Sequence, residues 1–216
     1  MTEKKTKIVC ISDTHIKHAE LVIPECDILL HSGDATFQGQ PHRIREFGKW
    51  FSKQPAKHKI FVAGNHDLLF EDDPVQAEDL LNEEAESGII TLNQESVTIN
   101  GLNIYGEPRQ PWFYDWAFNV KRPNMKQVWD KVPAHTDILV THGPPLDHGD
   151  RTVRGEPVGC KYQKQLIESM DNLKLVVCGH IHNGYGLYNL NNAIVANASV
   201  CNERYNVTNA PLVVYL

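Results

Sequence analysis

Asp13-Thr14-His15, Gly33-Asp34, Gly64-Asn65-His66-Asp67, His142 and Gly179-His180-Ile181-His182 are the residues of this chain whose types and spacing can do chemistry. Carboxylate oxygen, amide oxygen and imidazole nitrogen together make a donor set for divalent cations. Taken singly, each group has an ordinary explanation: a turn, a capping side chain, a solvated pair of histidines. Their placement carries more information. Each follows a short hydrophobic run: 7–12 leads into Asp13 and His15, 27–30 into Asp34, 59–63 into Asn65, His66 and Asp67, 137–141 into His142, and 173–178 into His180 and His182.

Runs rich in Ile, Val and Leu, bounded by Gly or polar residues, read as buried strands. Parallel strands share one sheet edge at their carboxyl ends, where open α/β folds bind ligands. One cluster then gathers two Asp, one Asn and four or five His. On an extended chain Asp13 and His15 face the same way, as do His180 and His182. Asp34 can bridge a pair of cations with its two oxygens, and Gly33 lets the backbone come close. Asn65 offers a neutral oxygen. His66 is left free for proton transfer, with Asp67 placed to orient it.

The elements around these residues alternate. Ile44, Phe47 and Phe51 sit at helical spacing over 43–51. Asp73-Pro74 starts a helix whose apolar face is Ala77, Leu80, Leu81 and Ala85, with Gly88 ending it. Strands follow at 89–92, 97–99 and 102–105, with Asn100-Gly101 as a hairpin turn. An aromatic loop (Trp112, Phe113, Tyr114, Trp116) precedes a third helical segment marked by Tyr162, Leu166 and Met170. Further strands are expected at 187–190, 193–196 and 212–215. The pattern is layered α/β: strands in two sheets, helices outside.

At 216 residues the chain suits one domain, 1–216, with a well-buried core. No apolar stretch approaches the ~20 residues of a membrane span. The Lys-rich start runs straight into the first strand without a signal-peptide core, so a cytoplasmic protein is expected, with no membrane partner. Five cysteines without a Cys-x-x-Cys pair argue against a disulfide scaffold and a zinc ribbon. A net charge of −6 argues against an extended nucleic-acid partner, while a small anionic substrate is compatible with a metal site. Nothing in the pattern specifies an oligomer.

The ordered motifs resemble the calcineurin-like metallophosphoesterase family: Asp13/His15, Asp34, Asn65/His66/Asp67, His142 and His180/His182 match its signature from end to end. The resemblance implies a two-sheet β-sandwich flanked by helices. It implies that Asp13, His15, Asp34 and His182 hold one divalent metal, and that Asp34 bridges to a second held by Asn65, His142 and His180. Mixed oxygen and nitrogen ligation suits Mn or Fe, with Zn inside the same donor range. Two carboxylates against two divalent cations leave about +2, which phosphate and hydroxide would balance. The implied chemistry is in-line attack on phosphorus by a metal-bridging hydroxide, with His66, held by Asp67, stabilising the transition state or protonating the departing alkoxide.

Gly33-Asp34 continues as Ala35-Thr36-Phe37, so the Asp-Arg-Gly element of phosphoprotein phosphatases is absent. The stretches 63–70, 111–119, 141–150 and 197–202 are similar to compact metallophosphoesterase-domain-containing proteins, related to class III cyclic-nucleotide phosphodiesterases. That similarity implies small phosphodiesters or nucleotides as substrates, cyclic nucleotides among them. Trp112 or Phe113 either stacks on a nucleobase or packs its loop; Arg109 either meets a phosphate or is a surface residue. His148 and Asp150 are expected at the mouth of the site. Two other readings stay open: a phosphomonoesterase for phosphoprotein or nucleotide, and a non-catalytic metal-binding interaction module.

Overall fold

The hydrophobic runs form strands, and the alternation of side chains along them builds the layers. The computed structural model describes residues 5–216; Lys4, the first lysine of the amino terminus, lies outside the described residues. The first half supplies β1 (Lys7–Ile11), β2 (Cys26–His31), β3 (Ala56–Phe61), β4 (Ile90–Thr91), β5 (Glu95–Ile99) and β6 (Leu102–Glu107). The second supplies β7 (Gln110–Pro111), β8 (Asn119–Val120), β9 (Ile138–Thr141), β10 (Leu175–Cys178), β11 (Gly186–Leu190), β12 (Ala193–Asn197) and β13 (Leu212–Tyr215). The helices are α1 (Pro41–Ser52), α2 (Leu69–Asp72), α3 (Pro74–Glu83), α4 (Met125–Trp129) and α5 (Lys161–Ser169).

One sheet has the order β13-β1-β2-β3-β4 and the other β11-β12-β10-β9-β6-β5. In the first, β1 to β4 run parallel and β13 closes the edge antiparallel. In the second, β6, β9, β10 and β12 are parallel, with β5 and β11 antiparallel at the two edges. The ligand-bearing strands therefore do not share a single sheet, as a simple parallel arrangement would have it. β1, β2 and β3 belong to one sheet, β9 and β10 to the other. A parallel bridge between Ser12 and Ser199, with Val200 N–H donating to the Ser12 carbonyl at 3.0 Å, ties their carboxyl ends together.

Both faces of each sheet are covered, which is why the strands read as unbroken apolar runs. Ile8, Cys10, Leu30 and Ile60 point inward to meet Ile104, Ile138, Val140 and Val177 of the facing sheet. Val9, Ile11 and Leu29 point outward under Ile44, Phe47 and Phe51 of α1 and Leu80 and Leu81 of α3. Met125 and Trp129 of α4 and Ile167 of α5 cover Leu139 and Val176 on the opposite side. Fully burying each such side chain contributes about 1.5–3 kcal/mol before entropy is counted. All five cysteines are buried and free. No helix among the described residues is long and apolar enough to cross a membrane.

Local chemistry sets the ends of the elements. Asp73 caps α3, accepting from Gln76 N–H at 3.1 Å, and Pro74 opens it. The helix stops at Glu83, before the expected Gly88. Asn100 and Gly101 take φ of +54° and +76°, the left-handed pair of a tight hairpin between β5 and β6. In α5 the buried face is Gln163 and Ile167, one step round from the expected Tyr162 and Leu166, which pack at its margin.

Gly48 sits where α1 crosses α3, and a methyl there would run into the carbonyl oxygen of Leu81. Gly48→Ala is predicted to lower unfolding free energy by about 1–3 kcal/mol, read from a urea titration. An unchanged midpoint would mean that the two helices are not in this contact.

Candidate metal centre

The loops that leave β1 and β2 are zipped together by their backbones. Asp13, His15 and Ile16 N–H donate to the carbonyls of Gly33, Asp34 and Ala35 at 2.8, 3.0 and 2.9 Å. This pairing holds Asp13, His15 and Asp34 in the left-handed region, at φ of +54°, +40° and +58°, with Ile16 at +61°. A residue kept there costs about 1–3 kcal/mol, most for a β-branched side chain such as Ile16. His180 also stands at +65°, and His182 opens a 3₁₀ turn (His182–Gly184). The expected extended alternation is thus wrong for both Asp-x-His and His-x-His. Left-handed turns aim these side chains. Gly33, at φ +105°, makes room: a Cβ there would lie 2.6 Å from His142 Nδ1.

Backbone carbonyls fix the imidazoles. His15 Nδ1–H donates to Thr36 at 3.2 Å, His66 Nδ1–H to Phe37 at 2.9 Å, His142 Nδ1–H to Ser32 at 2.9 Å, and His182 Nδ1–H to Asn202 at 3.0 Å. A carbonyl only accepts, so in each ring Nδ1 carries a proton, and in the neutral ring Nε2 keeps its lone pair. Those lone pairs converge. Nε2 of His142, His15 and His66 lie 3.3, 3.8 and 3.9 Å from Asp34 Oδ2, and His182 Nε2 lies 3.3 Å from Asp13 Oδ1. His15 Nε2 faces His182 Nε2 at 3.3 Å, and His142 Nε2 faces Asn65 Oδ1 at 2.9 Å.

Lone pair against lone pair is repulsive unless a proton or a cation stands between. The site's electrostatics call for that positive charge. Burial opposes protonation, yet the Asp34 charge lifts His142 to about 9, and the bond to Asp13 lifts His182 to about 9. Burial pushes Asp13 and Asp34 up, but their imidazole neighbours hold both carboxyls well below the usual range. Burial keeps His15 at about 4 and His180 at about 3, as neutral donors. Asp13, His15 and His182 form one group with donor atoms mutually within 4.8 Å, and Asp34, His142 and His180 form another. A third group, His15, Asp34 and His66, overlaps both. The donor set fits divalent cations of mixed oxygen and nitrogen preference.

Asp67 does something other than expected. Its carboxylate makes no hydrogen bond to the His66 ring, whose Nδ1 is bonded to Phe37. Instead it accepts from the N–H groups of Asp34, Ala35, Thr36 and Gly64 at 2.8, 3.3, 2.9 and 2.9 Å, and from Thr36 Oγ1 at 2.9 Å. It clasps the loop after β2 to the loop after β3. Burial and the neighbouring Asp34 charge push it up to about 6, against donors that favour the ionised form. His31 is a second support. Nδ1 accepts from Gly33 N–H at 3.2 Å, so Nε2–H donates to Thr14 Oγ1 at 3.0 Å. Ser199 Oγ–H donates to Asp13 Oδ2 at 2.7 Å, and His180 N–H donates to the same carboxylate at 3.0 Å.

The Calcineurin-like phosphoesterase family model matches residues 6–184. The chain belongs to that family. Metallophosphoesterase domain-containing protein 1 of Homo sapiens is 36% identical over 233 residues, covering 98% of this chain and 71% of that protein. A UPF0046 protein of Caenorhabditis elegans is 34% identical over 227 residues, covering 98% of this chain and 81% of its own length. Among solved structures, TT1561 of Thermus thermophilus shares the fold, with a TM-score of 0.60 and 13% identity over 90% of this chain and 89% of that one. Family membership supports hydrolysis of a phosphoric ester with a pair of metal ions.

A cavity of about 300 Å³ opens over the cluster, and its rim departs from the sequence expectations. Trp112 and Phe113 do line it, half-exposed, and the Phe113 ring meets His180 edge-on at 5.6 Å. Arg109 does not line it. Its guanidinium donates to Glu107 Oε1 at 3.0 Å and Asn93 Oδ1 at 3.2 Å, because the buried Glu107 carboxylate needs a cation. His148 and Asp150 are not on the rim either: His148 turns to the Leu146 carbonyl, and buried Asp150 accepts from Gly159 N–H. Arg122 is the cation that lines the cavity. Tyr205 packs on His15 and His182 at 4.7 and 5.7 Å, and Trp116 covers the His66 ring at 4.1 Å. No signal marked Arg122 or Tyr205; Trp116 lay in the aromatic loop and the similar stretch 111–119, and Ser199 and Asn202 within the similar stretch 197–202.

Asp67→Asn would set an amide N–H₂ against backbone donors while leaving every proposed ligand in place. Its Mn²⁺ affinity is predicted to fall about 10–100-fold by titration calorimetry. Undiminished affinity would remove the clasp from the account.

Proposed function

We propose that this chain is a dinuclear-metal phosphodiesterase for small phosphodiesters, with cyclic nucleotides within its chemical range. One observation carries the reading: Asp34 Oδ2 is faced by the Nε2 atoms of His15, His66 and His142, from loops of both sheets. In this proposal Asp13, His15, Asp34 and His182 hold one cation, and Asp34, Asn65, His142 and His180 the other, with Mn or Fe, or else Zn. When bound, such a pair supplies charge for phosphate oxygens and makes water a nucleophile at neutral pH.

The residues of the chain do the rest. His66 is pinned through Nδ1 by Phe37 and backed by Trp116, so its Nε2 faces the cleft beside Asp34. Protonated at Nε2, it gives that proton to the departing alkoxide. Phe113 and Trp112 form an apolar wall that excludes water and accepts a planar ester group. A diester is favoured over a monoester by the poverty of cations: among the described residues Arg122 is the lone Lys or Arg lining the cavity, and two of its donors are spent on the Gly159 and Val158 carbonyls. A monoester dianion would call for more positive charge around its three terminal oxygens.

Mn-loaded protein is expected to hydrolyse bis-(p-nitrophenyl) phosphate faster than p-nitrophenyl phosphate, with His142→Ala inactive towards both. The reverse ratio would assign a monoesterase, and metal binding without hydrolysis of either would assign an interaction module. His66→Ala should lose about 10²–10⁴-fold in turnover of a diester with a poor leaving group, at unchanged metal content. Full activity in that variant would remove the proton donor.

A further inference from the structure

The cleft continues past the metal centre. A second cavity of about 350 Å³ shares Pro111, Arg122 and Gly159 with the first, so the two lie on either side of one ridge. Its own walls are Met125, Leu146, Pro157 and Tyr162, an apolar lining, with Lys161 at the rim. The Lys161 ammonium stands 4.7 Å above the Tyr162 ring. Among the described residues no acidic side chain lines this second cavity, although the whole chain carries a net charge of −6. The local charge is therefore opposite to the global one.

Arg122 forms the crest of the ridge. Nη1–H donates to the Gly159 carbonyl at 3.1 Å and Nη2–H to the Val158 carbonyl at 2.7 Å. Those two bonds fix the plane of the guanidinium and leave three of its five N–H groups for another acceptor. No carboxylate pairs with it among the described residues. A cation held still, exposed and unpaired where two cavities meet is placed to bind an anionic group of a ligand that reaches from one cavity into the other.

We propose that the preferred substrate class is a linear dinucleotide carrying a second phosphate, which spans both cavities across Arg122. This deepens the phosphodiesterase reading and rests on it. The scissile phosphate lies at the metal centre, and one base stands against Phe113 and Trp112. The other phosphate meets Arg122, and the second base enters the cavity walled by Leu146 and Tyr162. A cyclic mononucleotide, with one phosphate and one base, fills only the first cavity. For 5′-phosphoadenylyl-(3′→5′)-adenosine the balanced reaction adds one water. The bond between phosphorus and the 3′ oxygen breaks, the water oxygen joins phosphorus, the 3′ oxygen takes the proton from His66, and two molecules of AMP result.

The test uses the full, Mn-loaded chain, with that dinucleotide and bis-(p-nitrophenyl) phosphate as paired substrates. Leu146→Trp fills the second cavity, and Arg122→Gln removes the charge at its crest. Each should raise KM for the dinucleotide by about tenfold, the scale of one lost base contact or charge-assisted bond. Leu146→Trp should leave kcat/KM for the short diester within about twofold, since a small substrate does not reach it. Should Leu146→Trp fail to fold, Tyr162→Ala takes its place, with the same expected split. If the short diester is hydrolysed but the dinucleotide KM is indifferent to these changes, the spanning mode is overturned while the phosphodiesterase reading stands. If neither substrate is hydrolysed, that reading fails. Calorimetric binding of the phosphorothioate dinucleotide then decides the second cavity alone: weaker binding to Arg122→Gln and Leu146→Trp supports it, and equal binding overturns it.

Discussion

Two ionised carboxylates, taken out of water and faced by imidazole lone pairs, set the terms for the rest of this molecule. Asp13 and Asp34 are essentially buried, and Nδ1–H bonds to backbone carbonyls turn the Nε2 atoms of the surrounding imidazoles towards them. In a medium of low polarity such an arrangement survives only when positive charge sits inside it. The lifted His142 and His182 and the depressed Asp13 and Asp34 express the same demand from both sides. A pair of divalent cations meets it more completely than two protons do, and supplies the reactivity that phosphate esters require.

Holding that arrangement takes structure from far away in the chain. Backbone in the left-handed region at Asp13, His15, Ile16 and Asp34 would relax if the loops were free. They are not free, because Asp67 clasps the loop after β2 to the loop after β3 and His31 links the turn at Thr14 to Gly33. Behind these loops stand strands buried on both faces, and behind the strands the aromatic layer of Phe47, Phe51 and Phe61. The buried part of the molecule thus ends where the candidate site starts, and the aromatic rim supplies the exposed part.

The fold was legible wherever burial writes itself into the residue pattern. Ile8 to Ile11 is apolar at every step because one face meets the second sheet and the other meets α1. Asp73-Pro74 and Asn100-Gly101 announced a helix start and a hairpin because their backbone geometry depends on those residue types. Ligand types and their order were equally readable, since each motif sits just past a strand end. What escaped the reading is long-range. The partition of the strands between two sheets is set by pairings between distant segments, such as β1 with β13. Asp67 was misassigned because adjacency to His66 in sequence says nothing of where a carboxylate turns when four backbone N–H groups surround it. Arg109 was drawn away by Glu107, two residues earlier, and the cation that does line the cavity, Arg122, stands in no motif.

The most direct measurement is anomalous diffraction at the manganese edge from crystals of the intact chain grown with Mn²⁺. Two peaks per chain are expected, on either side of Asp34 Oδ2, one among Asp13, His15 and His182 and the other among Asn65, His142 and His180. A single peak that leaves one of these groups without density, or peaks away from Asp34, would contradict the account at its root.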